Sequence, residues 1–169
     1  MPSARTPDGR NGLSNGRPLL DEVNRRILDV LTDDPRMSTS ELARTIGMSA
    51  PAVRERVARL EETGVIRGYR LDVDPAAIGL PVAAWVRMRP GPGQLTRLAD
   101  LIRRTPQVSE CHRISGEDCF LLKVHVAGIE DLEPVLDALL VHGHTTSSFV
   151  VATPVPPRPP RPRVDSPAP

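Results

Sequence analysis

Two short helices joined by a very short turn are encoded in the first third of the chain, and this pairing constrains the fold most. Ser38 and Glu41 form a capping-box pattern, in which each side chain can bond the other residue's amide. Gly47 is typical of a residue that ends a helix in the left-handed backbone conformation. Ser49 can cap the next helix, with Pro51 in its first turn. The pattern predicts a helix-turn-helix.

Apolar residues at helical spacing give each helix of this region one face for a shared core. The faces comprise Leu20, Val23, Ile27, Leu28 and Leu31 before Pro35, then Leu42, Ala43 and Ile46, and finally Val53, Val57 and Leu60 before Gly64. Residues 65–73 alternate loosely, which predicts a strand or a small wing. The alternative is a plain three-helix bundle with solvated arginines, but the short capped helices and the following strand favour the helix-turn-helix.

The second helix of a helix-turn-helix places its N-terminal end in a DNA major groove. We expect Arg54 to contact a base there, because a guanidinium can bond guanine through two hydrogen bonds. Arg56 and Arg59 lie further round the helix, where they contact phosphate or form salt bridges with Glu62 or Asp29. The expected DNA-binding residues are Ser38, Ser49, Ala50, Pro51, Arg54, Arg56, Arg59 and Arg67.

The overall charge adds a condition to DNA binding. The formal net charge of the 169 residues is only +1, so the positive charge that meets phosphate must be local. No apolar run reaches the roughly 18 residues of a membrane span, and no secretory signal is evident. We therefore expect a cytoplasmic location and no membrane partner.

A second domain is predicted after a hinge at Pro75 and Gly79. Strands are expected at residues 82–89, 108–114, 120–126 and 147–153, with helices around Leu95–Ile102 and Leu132–Leu139. This β-α-β-β-α-β order is the ferredoxin-like arrangement, so the whole chain is α+β. In the first strand Val82, Ala84, Val86 and Met88 share one face, whereas Ala83 and Trp85 lie on the other. Trp85 then marks a dimer surface, unless it packs under the linker or a helix.

The expected boundaries follow from these patterns. A disordered tail covers 1–17, the helix-turn-helix domain 18–68, a strand or hinge linker 69–81, the ferredoxin-like domain 82–155, and a Pro/Arg-rich tail 156–169. The last of these contains Arg158, Arg161 and Arg163, and it either grazes DNA or a partner or is a solvated extension.

Two segments together with the predicted second domain resemble the Lrp/AsnC, or feast/famine, family of regulators. They are LDEVNRRIL at 20–28 and RVARLEETGVIRGY at 56–69, and the similarity covers about residues 19–157. The resemblance implies a winged helix-turn-helix followed by a RAM-type domain. It also implies dimers that assemble into tetramers or octamers, and an amino acid or related small effector bound between dimers.

The resemblance also points to an effector site. SGEDCFLL at 115–122 resembles the family's effector-site turn, and GHTTSS at 143–148 matches the other side of that pocket. Many members carry an acidic residue where this chain has Cys119, so either Asp118 substitutes or the ligand differs. The implied effector residues are Gly116, Glu117, Asp118, Cys119, Thr145, Thr146 and Ser147. The alternatives are a conformational hairpin glycine and an ordinary polar strand start.

Three other functions compete with this interpretation. An enzyme is the first. Small ferredoxin-like domains can hydrolyse acyl phosphates with an arginine and a water-orienting asparagine, but no asparagine follows Asn24 in this chain. No Walker, GxGxxG or HExxH motif occurs either. We expect no cofactor. A metal or redox sensor would use Cys111, His112, Cys119, His125, His142 and His144. Cys111 is expected to pair near Leu122 rather than Cys119, which argues against a disulfide. The third alternative is an architectural DNA-binding protein that responds to no effector, and the sequence does not distinguish it from a regulator.

Overall fold

The computed structural model describes residues 19–162. These residues divide into two compact units, one made of 19–70 with 157–162 and the other of 71–156. The predicted tail at 1–17 and the end of the chain from 163 onward lie outside the described residues. No helix in the described range is long and apolar enough to cross a membrane.

The first unit contains the predicted helix-turn-helix. Its helices are α1 (Glu22–Asp33), α2 (Thr39–Ile46) and α3 (Ala50–Glu62). The capping box of Ser38 is formed, and Gly47 ends α2 in the left-handed region at φ 78°. Ser49 accepts from the Ala52 amide at the start of α3. These confirmed caps fix the length of the turn between α2 and α3.

The core of this unit comes from all of its helices. Its buried apolar side chains are Ile27, Leu42, Ala43, Ile46, Val53 and Leu60. Val57, also predicted for the core, is half-buried. Because Val53 and Leu60 are fully buried, the rotation of α3 about its axis is fixed, and Arg54 is left on the exposed side.

Residues 65–73, for which the sequence predicted a strand or a small wing, form no strand in the described chain. Val65 and Ile66 pack partly against the helical core, and the following residues form no strand. Leu71 is 88% exposed. Loose alternation is not enough to make a strand, because a strand also needs a neighbour to complete its hydrogen bonds, and this segment has none among residues 19–162.

The second unit has the predicted β-α-β-β-α-β order. Its elements are β1 (Val82–Pro90), α4 (Leu95–Arg104), β2 (Val108–Arg113), β3 (Phe120–Val126), α5 (Glu133–Leu140) and β4 (Gly143–Phe149). The antiparallel sheet has the order β2-β3-β1-β4. Short 3-10 turns at Ala76–Ile78 and Glu130–Leu132 precede β1 and α5.

The last strand begins four residues earlier than the sequence pattern indicated, at Gly143 rather than Ser147. Strand β4 is set by its pairing with β1, where Ser147 lies opposite Val86. A Cβ atom at position 143 would overlap the Arg89 carbonyl oxygen, so the strand enters the sheet through a glycine. Val151, expected inside the strand, is 98% exposed.

The two faces of the sheet differ as predicted. The helices pack with the face that carries the alternate buried residues Ala84, Val86 and Met88 of β1 and Phe120, Leu122, Val124 and Val126 of β3. We call the opposite side the open face; by register it carries Trp85, Arg87, Arg89, Glu110, His112, Leu121, Lys123, His125, His144, Thr146 and Ser148.

Candidate DNA interface and effector site

The exposed start of α3 combines polar, small and cationic groups. Ser49 and Pro51 are exposed and Ala50 is half-buried, so the helix end is accessible. The N-terminal amides of a helix carry partial positive charge and suit a phosphate oxygen. The structure therefore brings together the predicted residues Ser49, Ala50, Pro51 and Arg54 on one accessible end of α3.

Arg54 is exposed and forms no hydrogen bond or ion pair with any residue of the range 19–162. It lies one turn from the N-terminal end of α3, next to the buried Val53. A guanidinium without an internal partner keeps all its donors for an external acceptor. Both the position of Arg54 near the start of α3 and its unused hydrogen-bond donors suit contact with a base.

Arg56 faces the interior of its own unit. Its Nη1 atom lies 2.8 Å from Asp21 Oδ2 and 2.9 Å from Asn24 Oδ1. The side chains of Arg56 and Asp21 are only 20% and 22% exposed, and Asn24 is buried. For Arg56, the salt bridge predicted with Glu62 or Asp29 is therefore wrong, because α3 packs this side against the start of α1 instead.

The other predicted DNA-binding residues are placed differently. The Ser38 hydroxyl donates to the Glu41 carboxylate at 2.7 Å and accepts from its amide at 3.2 Å. The hydrogen bonds from Ser38 lower the pKa of Glu41. Arg59 is half-buried beside a cleft of about 240 Å³ between α1 and α3, and Arg67 is exposed just beyond α3. The two hydrogen bonds between Ser38 and Glu41 give Ser38 a structural role at the start of α2.

The turn between β2 and β3 contains the predicted effector residues Gly116, Glu117, Asp118 and Cys119. It is closed by a hydrogen bond from the Ile114 amide to the Cys119 carbonyl at 3.0 Å, and the Cys119 amide donates to Met88 of β1 at 2.9 Å. Gly116 has φ 110°, a conformation that favours glycine. The turn is therefore tied to the central strand β1.

Two arginines of β1 contact the acidic residues of this turn. Arg89 pairs with Glu117 and approaches Asp118 at 4.0 Å, while Arg87 approaches Asp118 at 3.9 Å. Arg87 and Arg89 are not among the effector residues that the sequence indicated. Their alternation with the buried Val86 and Met88 was the signal that places them together on the open face.

The residues expected on the other side of the effector pocket do not all share that face. Thr146 lies opposite Arg87 and so belongs to the open face. Thr145 and Ser147 lie opposite Met88 and Val86, on the face that packs with the helices. Within one unit, Thr146 is the member of the set that faces the same side as the arginines.

Trp85 also lies on the open face. It is half-buried, and the Lys123 ammonium lies 5.9 Å from the centroid of its ring, a cation–π geometry. His125 follows on β3, and its pKa is lowered by burial and by the charge of Lys123. The open face thus combines an aromatic ring with basic groups.

The residues of the metal or redox alternative are dispersed. Among residues 19–162, no group of three or more His, Cys, Asp or Glu side chains is placed to hold a metal ion. Cys111 lies opposite Leu122, as predicted, which places it away from Cys119. Burial raises the pKa of the Cys111 thiol, against the opposing effect of Arg113, so this thiol is not activated.

Fold and site together define a DNA-binding regulator with a separate ligand-binding domain. Residues 20–67 match the family model for winged helix-turn-helix DNA-binding domains, and residues 82–160 match the model for the Lrp/AsnC ligand binding domain. The chain belongs to the Lrp/AsnC family of transcriptional regulators, which are not enzymes.

Individual relatives span most of the chain. The regulator LrpC of Bacillus subtilis is 33% identical over 131 residues, which are 78% of this chain and 91% of LrpC. A feast or famine regulatory protein from M. tuberculosis, solved with L-methionine, is 32% identical with a TM-score of 0.79 over 84% of this chain and 99% of that one. A transcriptional regulator from Neisseria meningitidis, also solved with L-Met, is 27% identical with a TM-score of 0.76 over 80% of this chain and 92% of that one.

Proposed function

We propose that this chain is a sequence-specific transcriptional regulator in which α3 binds the DNA major groove and a small effector modulates that binding. The observation that carries the proposal is the accessible start of α3, where Arg54 lies beside the exposed Ser49 and Pro51 and forms no hydrogen bond or ion pair within residues 19–162. Membership of the family supports the general function of a DNA-binding regulator. The geometry supports α3 as the helix that contacts the bases.

Arg54 reads a base, and the groups at the helix end hold phosphate. The Ala50 and Pro51 region can approach the backbone closely because its side chains are small or compact, while Ser49 caps the helix. Arg67 adds phosphate contact beyond α3, and Arg59 lies nearer the protein interior. Because the formal net charge is only +1, we expect these local cations to provide most of the attraction to DNA.

The effector is an amino acid or a related small acid that binds near the turn at 116–119 and the start of β4. Two neighbours were solved with methionine, which supports this class of ligand. The paired charges of Arg87 and Arg89 with Glu117 and Asp118 supply groups for both a carboxylate and an ammonium. Thr146 lies beside them on the open face, and Cys119, Thr145 and Ser147 contribute through the backbone or from a neighbouring copy.

Dimers form through the open face that carries Trp85, and dimers assemble further into tetramers or octamers. An aromatic side chain on a sheet face that the unit's own helices do not use is typical of a subunit contact. Binding two half-sites compensates for the weak affinity of one small, nearly neutral unit. The protein acts on chromosomal DNA, and we therefore place it in the cytoplasm.

Arg54→Ala tests the reading helix. We expect it to weaken binding to a duplex selected by the wild-type protein from a random library by about 1–3 kcal/mol, roughly 5- to 150-fold, because one bidentate base contact is lost. Fluorescence anisotropy against the selected duplex and an unrelated duplex provides the measurement. Affinity for the unrelated duplex should change much less.

The matched control is Arg97→Ala, which removes an exposed arginine from α4 in the other unit. This variant should retain the affinity of the wild type for the selected duplex. An Arg54→Ala protein that binds the selected duplex as tightly as this control would show that α3 reads DNA in another register.

A further inference from the structure

We propose that the proline-rich C-terminal tail docks on helix α1, where Arg161 binds the carboxylates of Asp29 and Asp33. This surface and its occupant lie outside the DNA interface and the effector site. The described part of the tail, from Pro157, groups with the helix-turn-helix unit rather than with the domain that precedes it in sequence.

Helix α1 carries a cluster of carboxylates near its C-terminal end. Asp29 and Asp33 are four residues apart, so they lie on the same side of the helix, and Asp34 follows as the C-cap. Like charges at this spacing repel each other, and carboxylates near the negative end of a helix dipole are destabilising. The last turn of α1 contains no basic residue of its own.

Arg161 supplies a cation to this cluster. Its Nη2 atom lies 2.6 Å from Asp33 Oδ1, and its Nη1 atom lies 3.6 Å from Asp29 Oδ1. One guanidinium thus faces both carboxylates with different nitrogens. The planar fork of arginine suits this geometry better than a lysine ammonium would.

The sequence around Arg161 reduces the cost of docking. Residues 156–162 read PPRPPRP, a composition that favours an extended polyproline conformation before any contact is made. Less chain entropy is therefore lost when the tail is held on α1 than for a flexible segment of the same length. The tail therefore holds Arg161 on a stiff, extended backbone before it contacts α1.

The contact is reversible, because its groups are partly solvated. The side chains of Arg161, Asp29 and Asp33 are 57%, 44% and 67% exposed, and salt screens such pairs. Docking has two consequences. It directs Arg161 toward an acidic helix rather than toward phosphate, and it gives the helix-turn-helix unit a second attachment to the chain.

Cross-linking of the full-length protein tests the docking. Asp34→Cys and Pro160→Cys, introduced together in a Cys111→Ser, Cys119→Ser background, place thiols beside the ion pair while keeping all its members. We expect a short bismaleimide to join the two cysteines within one chain at low salt, as measured by mass spectrometry of proteolytic fragments. Adding Arg161→Ala should lower the yield several-fold, and high salt should act in the same direction.

Arg158→Ala in the same background is the matched control, because Arg158 is an exposed tail arginine without an ion pair in the described chain. Its yield should equal that of the parent. The proposal is overturned if Arg161→Ala leaves the yield unchanged, if no cross-link forms, or if the cysteines join only between different chains. Reversal of both charges, Arg161→Asp with Asp33→Arg, should restore part of the yield.

Discussion

Arg56→Met is expected to lower the free energy of unfolding of the helix-turn-helix unit by about 1–3 kcal/mol, because it removes the charged donor that bonds both Asp21 and the buried Asn24. Asp21 is the N-cap of α1 and the buried Asn24 lies in its first turn, so both hold the start of α1 against α3 through Arg56. Losing this contact should also weaken DNA binding, since α3 is then less firmly oriented.

The salt dependence of DNA binding distinguishes this role from phosphate contact. Each phosphate contact contributes about 0.9 to the slope of log affinity against log salt concentration. We expect Arg56→Met to reduce affinity with the slope unchanged, measured by anisotropy at several salt concentrations together with thermal unfolding. Arg44→Met, which alters an exposed arginine of α2, controls for stability. A slope lower by about one with normal stability would instead make Arg56 a DNA contact.

Trp85→Arg is expected to dissociate the dimer and to lower affinity for a two-half-site operator by about 10²- to 10⁴-fold, the scale of an avidity effect. The change replaces an apolar ring by a cation beside Lys123, on a face that already carries Arg87 and Arg89. Two copies of such a face would repel each other at the centre of the contact.

Sedimentation velocity checks the oligomeric state, and circular dichroism checks that the variant is folded. Leu95→Arg is the control, because Leu95 is an exposed apolar residue on α4, away from the open face. It should keep both the assembly and the affinity of the wild type. A folded Trp85→Arg protein that stays dimeric would exclude the open face as the dimer contact.

Local chemistry made much of the fold predictable. The caps at Ser38, Gly47 and Ser49 depend on residues within a few positions, and each was visible in the sequence. Strict alternation in β1 likewise placed Val86 and Trp85 on opposite faces. In these cases the residues that determine the local structure are close to one another in sequence.

The errors arose where distant residues decide the outcome. The position of β4 depends on its register with β1, and its polar residues gave no apolar period to locate it. The partner of Arg56 is 35 residues away in sequence. The pairing of Arg87 and Arg89 with the effector turn, and of Arg161 with α1, likewise follows from tertiary placement.

Coupling between effector and DNA is the most direct test of the central claim. A thermal-shift screen of the full-length protein against amino acids and oxo acids identifies a ligand, because binding to the folded state raises the melting temperature. The affinity for the selected duplex is then measured by anisotropy with and without that ligand. We predict a change of roughly 5- to 150-fold, the usual scale of coupling between two sites. A ligand that raises the melting temperature but leaves DNA affinity unchanged, or a screen without any ligand, would contradict the account and favour an effector-blind architectural protein.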